Sequence, residues 1–237
     1  MQKLEGKTAL ITGGSKGIGY GIAAALVAEG MHVAVTSRNQ EAANEAAAAL
    51  NKIGKGSAIG IAADVRDFAS QEQAVALVMG KWGRLDLLVA NAGIGHFAPV
   101  QDMSIEKWHE TIDTNLTGVF YSIKAGVEAL KATKGYFITI SSLAGTNFFA
   151  NGSAYNASKF GVTGFTQAAM LDLRQFGIRC TTIMPGSVST YFNEHIPNEK
   201  DAWKIQIEDL GQMVVDLMQM HPRTLPSKIE VRPSMPA

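Results

Sequence analysis

The chain has 237 residues, 46% of them hydrophobic, which is enough to bury one large α/β core. Its 21 basic residues balance its 21 acidic ones, arguing against a nucleic-acid partner, and its single cysteine, Cys180, leaves no intrachain disulfide and no cysteine-rich metal site. The opening MQKLEGKTALITGG reads as no signal peptide and no stretch has the apolar length of a membrane span, so a cytoplasmic protein without a membrane partner is expected.

Short apolar runs alternate with helix-forming stretches. The runs are TALIT (8–12), HVAVTS (32–37), SAIGIAA (57–63), LDLLVAN (85–91), YFITIS (136–141), IRCTTIM (178–184) and a last KIEVR (228–232). Continuous apolarity marks strands buried on both faces. Helices are expected over 17–30, 40–53, 68–81, 104–131, 153–176 and 206–220, with Asn39 and Ser104 as N-caps. The alternation predicts a three-layer α/β fold: a doubly wound, Rossmann-type parallel sheet of about seven strands with helices on both faces. No repeat or linker divides the chain, so residues 1–237 read as one dinucleotide-binding domain, with a substrate loop at 186–204.

The first strand runs into Thr12-Gly-Gly-Ser-Lys-Gly-Ile-Gly19 and then into an Ala-rich helix. Gly13, Gly17 and Gly19 allow a tight turn and a close approach of backbone to phosphate, and the helix N-terminus offers free N–H groups. Ser15, Lys16 and Ile18 share the turn and are cofactor-binding candidates with them. The second strand ends at Ser37-Arg38-Asn39, where an NAD-selective protein would carry an acidic residue for the ribose 2′-hydroxyl. Arg38 and Lys16 suit a 2′-phosphate instead, so NADP(H) is the expected cofactor.

Tyr155 and Lys159 stand four apart in GSAYNASKFG, and Ser142 follows the run YFITIS thirteen residues before the tyrosine. Positions i and i+4 share a helix face. An ammonium beside a phenol favours the phenolate, so Tyr155 is expected to be acidified and to serve as general acid or base. Ser141 competes with Ser142 but lies one residue too far from the tyrosine. The five histidines show no ligand spacing, and no metal is expected.

Together these motifs resemble the short-chain dehydrogenase/reductase family over nearly the whole chain. The resemblance adds Asp64-Val65 at the adenine, Asn91-Ala92-Gly93 ending the fourth strand, Asn115 in the following long helix, and Pro185, Gly186, Val188 and Thr190 after the sixth strand, with Arg38 and Asn39 near the ribose. It implies that Tyr155 passes a proton to or from the substrate oxygen and that Ser142 holds that oxygen. It further implies that Lys159 lowers the tyrosine's pKa and bonds the nicotinamide ribose, and that Asn115 bends its helix and holds a water relaying protons to the lysine. The implied activity is NADPH-dependent carbonyl reduction similar to that of 3-oxoacyl-(acyl carrier protein) reductases or general ketone reductases. Reduction of a pteridine-side-chain or sugar carbonyl is the alternative. A non-catalytic NADP-sensing regulator is a remote one, because all four catalytic positions are intact. A homodimer or homotetramer through 104–131 and 153–176 is also implied, with Ala157, Gly161 and Gly164 permitting close helix approach.

The substrate edge falls at Ile94 to Phe97, Leu143 to Phe149 and the 186–204 loop. Ile94, Phe97, Phe148, Phe149, Tyr191, Phe192 and Trp203 are candidate walls beside Ser142 and Tyr155. The loop is short for the family, which suggests an open site able to admit a bulky or carrier-bound carbonyl.

Overall fold

A computed structural model describes residues 2–235. The apolar runs form β1 (Thr8–Ile11), β2 (His32–Ser37), β3 (Ser57–Ala62), β4 (Leu87–Ala90), β5 (Tyr136–Ile140), β6 (Arg179–Pro185) and β7 (Lys228–Val231). All pair in parallel, in the order β3-β2-β1-β4-β5-β6-β7. The intervening helices are α1 (Gly17–Ala28), α2 (Gln40–Leu50), α3 (Phe68–Trp82), α4 (Ile105–Ile112), α5 (Gly118–Thr133), α6 (Ser153–Leu173) and α7 (Ile207–Gln219).

The central strands are buried and largely apolar because the sheet is covered on both faces. Alternate residues such as Ile11, Val33, Val35, Leu87, Val89 and Ile138 pack under α1, α2 and α7. Their neighbours Leu10, Ala34, Leu88, Ala90 and Phe137 pack under α3, α5 and α6. A one-residue slip of any central strand would exchange the two layers. The caps follow the sequence: the Asn39 side chain accepts from Ala42 N at 2.9 Å and Ser104 Oγ from Lys107 N at 3.2 Å.

The structure departs from the sequence expectation in two places. The helix expected over 104–131 is interrupted by a π-turn at Asp113–Thr117 between α4 and α5. There the Asn115 side chain bonds across to the backbone of Ile94, and a widened turn accommodates it. Gly161, expected to face a second subunit, packs inside the chain instead: a Cβ there would lie 2.8 Å from Leu116 Cδ2, whereas Gly164 faces open space. Ala157 is exposed.

α1 and α7 pack in close contact through Gly21 and Gly211. A Cβ on Gly211 would lie 2.6 Å from the Gly21 carbonyl oxygen, and one on Gly21 would lie 2.4 Å from that of Ile207. Gly80 in α3, by contrast, has nothing within 4 Å of such a Cβ. Gly211→Val is therefore expected to cost roughly 1–3 kcal/mol or more by overpacking. Gly80→Ala should stabilise by about 0.5–1 kcal/mol through helix propensity alone. Thermal melts of the two variants should move in opposite directions, and a Gly211→Val melt matching the parent would refute the close crossing.

Candidate active site

The strand order reverses between β1 and β4, and a cleft of about 880 Å³ opens above the carboxyl ends of the strands at that point. Its floor is the glycine turn. Gly13, Ser15, Lys16, Gly17 and Ile18 line it. Gly13 has φ +62°, and a Cβ there would sit 2.9 Å from Ala92 Cα, so only glycine lets the β1 and β4 ends meet. Gly19 lies behind the turn, where a Cβ would strike Asn91 Nδ2 at 2.5 Å. Asn91 holds the two ends together: its Nδ2 donates to the carbonyls of Thr12 at 2.9 Å and Gly13 at 3.0 Å. The Thr12 hydroxyl accepts from the N–H groups of Asn91 and Ala92 at 3.1 and 3.2 Å.

The adenine-side half of the cleft carries the charge. Arg38 and Lys16 are exposed and line it, as do Ser37, Asp64 and Val65. Asn39 does not line it; its side chain is committed to capping α2. The Asp64 carboxylate is held bidentately by Arg66, with Nη2 at 2.6 Å and Nε at 3.1 Å. That Arg66 pair holds the acid below the usual carboxylate range, against the opposing effect of burial. Asp64 caps no helix, since Asp67 caps α3. Arg66 also lines the cleft and was not among the sequence candidates, although it directly follows Asp64-Val65.

A nicotinamide dinucleotide fits these residues on two structural grounds. The hydroxyl of Thr36, buried at the end of β2 and lining the cleft, has no hydrogen-bond partner among the described residues. The N-terminus of α1 has no side-chain cap, so its first N–H groups are free for a phosphate.

The chemical residues converge from β5 and α6. Ser142 caps the turn after β5, accepting from Ala144 N at 3.1 Å, and is partly exposed to the cleft. Ser141 is buried, with its hydroxyl within 3.0 Å of both the Lys159 carbonyl and Thr163. Lys159 is 5% exposed, and its Nζ donates to the Ile140 carbonyl at 2.9 Å. Burial lowers its pKa to about 8. Nζ lies 5.6 Å from the centre of the Tyr155 ring.

Here the sequence expectation needs correction. Tyr155 is not acidified in this structure: burial pushes its phenol above the ordinary value, and the Ser142 hydroxyl only partly offsets that. The i,i+4 spacing does bring the lysine alongside the phenol. Its ammonium, however, is committed to the Ile140 carbonyl, and desolvation dominates.

Asn115 is fully buried. Its Oδ1 accepts from Ile94 N at 2.8 Å, and its Nδ2 donates to Ile94 O at 2.9 Å and Ser158 Oγ at 3.0 Å. Gly93 lies between this amide and the lysine: a Cβ there would be 3.4 Å from Asn115 Oδ1 and 3.5 Å from Lys159 Nζ.

Pro185, Gly186, Val188 and Thr190, expected at the cofactor, and Ile94 and Tyr191, expected at the substrate, all line the same cleft. The 186–204 segment, the lid for short, lines one side of the cleft. Val188 bridges Ile205 at its neck, and Asp201 fastens its interior. The Asp201 side chain, 6% exposed, lies 2.6 Å from Lys204 Nζ and 2.5 Å from His195 Nε2, and accepts from Asn198 N at 3.2 Å. Those two partners hold the carboxyl far below the usual range. The sequence carried a signal for this knot in the capping pattern Asn198-x-x-Asp201, but not its partners across the loop. Phe148 and Phe149, expected as walls, do not line the cleft: Phe148 is 86% exposed and Phe149 packs on Phe97 with ring centres 5.9 Å apart. Trp203 also lies off the cleft, with Lys204 over its ring.

Comparison with known proteins agrees with this architecture. The sequence model of the short chain dehydrogenase family matches residues 7–201. A trans-4-hydroxycyclohexanecarboxylate dehydrogenase from Sinomonas cyclohexanicum is 37% identical over 86% of this chain and 83% of its own. A 3-oxoacyl-[acyl-carrier-protein] reductase from Synechocystis is 35% identical over 90% and 86%. A solved alcohol dehydrogenase from the archaeon Thermococcus sibiricus, complexed with 5-hydroxy-NADP, superposes with a TM-score of 0.91 at 27% identity, over 98% of this chain and 99% of that one. The protein belongs to the short-chain dehydrogenase/reductase family.

Proposed function

We propose that this protein is an NADPH-dependent ketone reductase in which Tyr155 is the proton donor. The observation that carries the reading is geometric: the Tyr155 phenol and the Ser142 hydroxyl converge on one wall of a dinucleotide-sized cleft, with Lys159 Nζ 5.6 Å from the centre of the phenol ring. A protonated phenol is the form that gives a proton to a carbonyl oxygen. The reduced dinucleotide supplies the hydride when bound. Ser142 aligns the carbonyl oxygen with the phenol and donates to it as negative charge develops. Lys159, protonated below about pH 8, places a positive charge next to the tyrosine and the cofactor-side floor. Asn115 acts indirectly, by fixing the Ile94 backbone and the Ser158 hydroxyl behind that lysine. Lys16 and Arg38 recognise the 2′-phosphate end, and Thr36 offers there a hydroxyl with no partner among the described residues. A free ketone and a 3-oxoacyl thioester both meet this geometry.

The proposal extends to a homodimer or homotetramer in the cytoplasm. The apolar side chains Phe120 on α5 and Phe160 and Leu171 on α6 are 45%, 42% and 53% exposed, which suits burial against a second copy. Sedimentation at micromolar concentration should give more than one protomer per particle; a monomer would reject this part.

Removing the phenol should remove the reaction. Tyr155→Phe is expected to lower NADPH oxidation with ketones by roughly 10²–10⁴-fold. Ultraviolet difference titration of the cofactor-free protein should lack, below about pH 10, any phenolate signal that disappears in Tyr155→Phe. Turnover surviving in the variant would overturn the assignment of the donor.

Cofactor choice rests on the cations. Arg38→Ala should weaken NADPH binding by about tenfold, the loss of one charge-assisted contact, while changing NADH binding by no more than about twofold. Equal dissociation constants for NADPH and NADH in the parent protein would sink the two-cation argument.

The buried lysine should be a stability cost. Its folded pKa of about 8 lies below the unfolded value near ~10.4. Between those values the unfolded chain holds the extra proton, so stability rises with pH through that window, and the penalty is full below about pH 8. In the cofactor-free protein, Lys159→Met is therefore expected to raise the melting temperature at pH 7, offset in part by the orphaned Ile140 carbonyl. The gain should shrink as the pH approaches ~10. A gain that grows with pH would contradict the burial argument.

A further inference from the structure

Four rings from four separate segments cluster at the Tyr155 end of the cleft: Tyr155 and Phe192 line it, Phe97 lines the smaller pocket beside it, and Phe149 packs behind Phe97. Phe97 comes from the loop after β4, Phe149 from the loop after β5, Tyr155 from α6 and Phe192 from the lid. Phe97 is the hub, with ring centres 5.4 Å from Tyr155, 5.9 Å from Phe149 and 6.5 Å from Phe192. Phe192 closes the figure at 5.7 Å from Tyr155. The two flanking rings meet over bare backbone: a Cβ on Gly95 would lie 2.6 Å from Phe192 Cζ and 2.8 Å from Phe97 Cζ. Both rings remain more than a third exposed, Phe97 at 39% and Phe192 at 38%. Apolar rings left open beside a proton donor mark a binding wall rather than a core.

The polar groups of the same half of the cleft offer a charged substrate little. His96 Nε2 is paired with Glu110 at 3.0 Å. His195 and Lys204 are both paired with Asp201. Glu194, on the exposed lid, has no ion-pair partner among the described residues, and neither has Lys16, whose Nζ lies 6.0 Å from the centre of the Tyr191 ring, so the two unpaired charges at the rim are of opposite sign. Aromatic faces favour a flat partner in an offset or edge-on stack, and a ring loses no torsional freedom on binding where an open chain does.

Resting on the reading of Tyr155 as proton donor, we infer that the substrate is an uncharged ketone whose carbonyl belongs to an apolar ring, and that Phe97 selects it. The carbonyl carbon takes a hydride from the reduced dinucleotide and the oxygen takes the Tyr155 proton. The products are the ring alcohol and the oxidised dinucleotide.

The test compares initial rates with NADPH for three ketones: α-tetralone, the N-acetylcysteamine thioester of acetoacetate, and dihydroxyacetone. The expected order puts α-tetralone first in kcat/KM by at least roughly tenfold, about 1.4 kcal/mol of discrimination. Phe97→Ala should lower kcat/KM for α-tetralone by a similar factor through KM, with the thioester changed by no more than about twofold and Phe97→Tyr restoring the ring preference. A preference for the thioester or for dihydroxyacetone, or an equal loss on all three substrates in Phe97→Ala, overturns the ring assignment and leaves the reductase reading standing. If no ketone is reduced, the reductase reading fails. The ring site is then decided by saturation-transfer NMR of α-tetralone with the protein and NADP: a transfer signal abolished by Phe97→Ala supports it, and no signal with the parent protein overturns it.

Discussion

The bond between the Asn91 amide and the carbonyls of Thr12 and Gly13 is the constraint on which the cleft depends. β1 and β4 are neighbours at the place where the sheet's connections turn in opposite directions, so nothing covers their carboxyl ends. Two strand ends left there would carry unpaired backbone groups, which are costly unless bonded. Asn91 and Thr12 satisfy those groups from within the turn and hold the glycine loop close against Ala92. Every cofactor-side residue is measured from that fixed edge.

The electrostatics of the site follow from burial more than from pairing. Lys159 sits almost out of water against one carbonyl, so its charge is destabilised and its proton is loosely held. Tyr155 is hidden among rings, so its proton is tightly held. Burial thus lowers the proton affinity of the lysine and raises that of the tyrosine.

The lid is held by few ties. Its neck is one backbone bridge, Val188 to Ile205, and its interior is fastened by a single carboxylate, Asp201, with donors from three directions. Consecutive left-handed residues Asn193 and Glu194 turn the chain between Phe192 and His195. That turn presents Phe192 to the catalytic ring while His195 is drawn back to the carboxylate.

The strand and helix pattern was legible because a sheet covered on both faces requires largely apolar runs, and β4 and β5 at its centre have them unbroken, while β3 and β7 at its edges are partly exposed. The glycine turn and the Tyr155–Lys159 pair were legible because each depends on local spacing within one turn or one helix, whereas Ser142 was reached through the family resemblance. What spacing could not express was how side chains from distant segments share their partners. Arg66 occupies the Asp64 carboxylate, the Ile140 carbonyl accepts the lysine's hydrogen bond, Leu116 fills the space beside Gly161, and Phe97 gathers rings from three other segments. The periodicity of a chain records which face is buried, but the sign of a pKa shift and the company of a ring depend on what else is buried with them, and only the packed fold decides that.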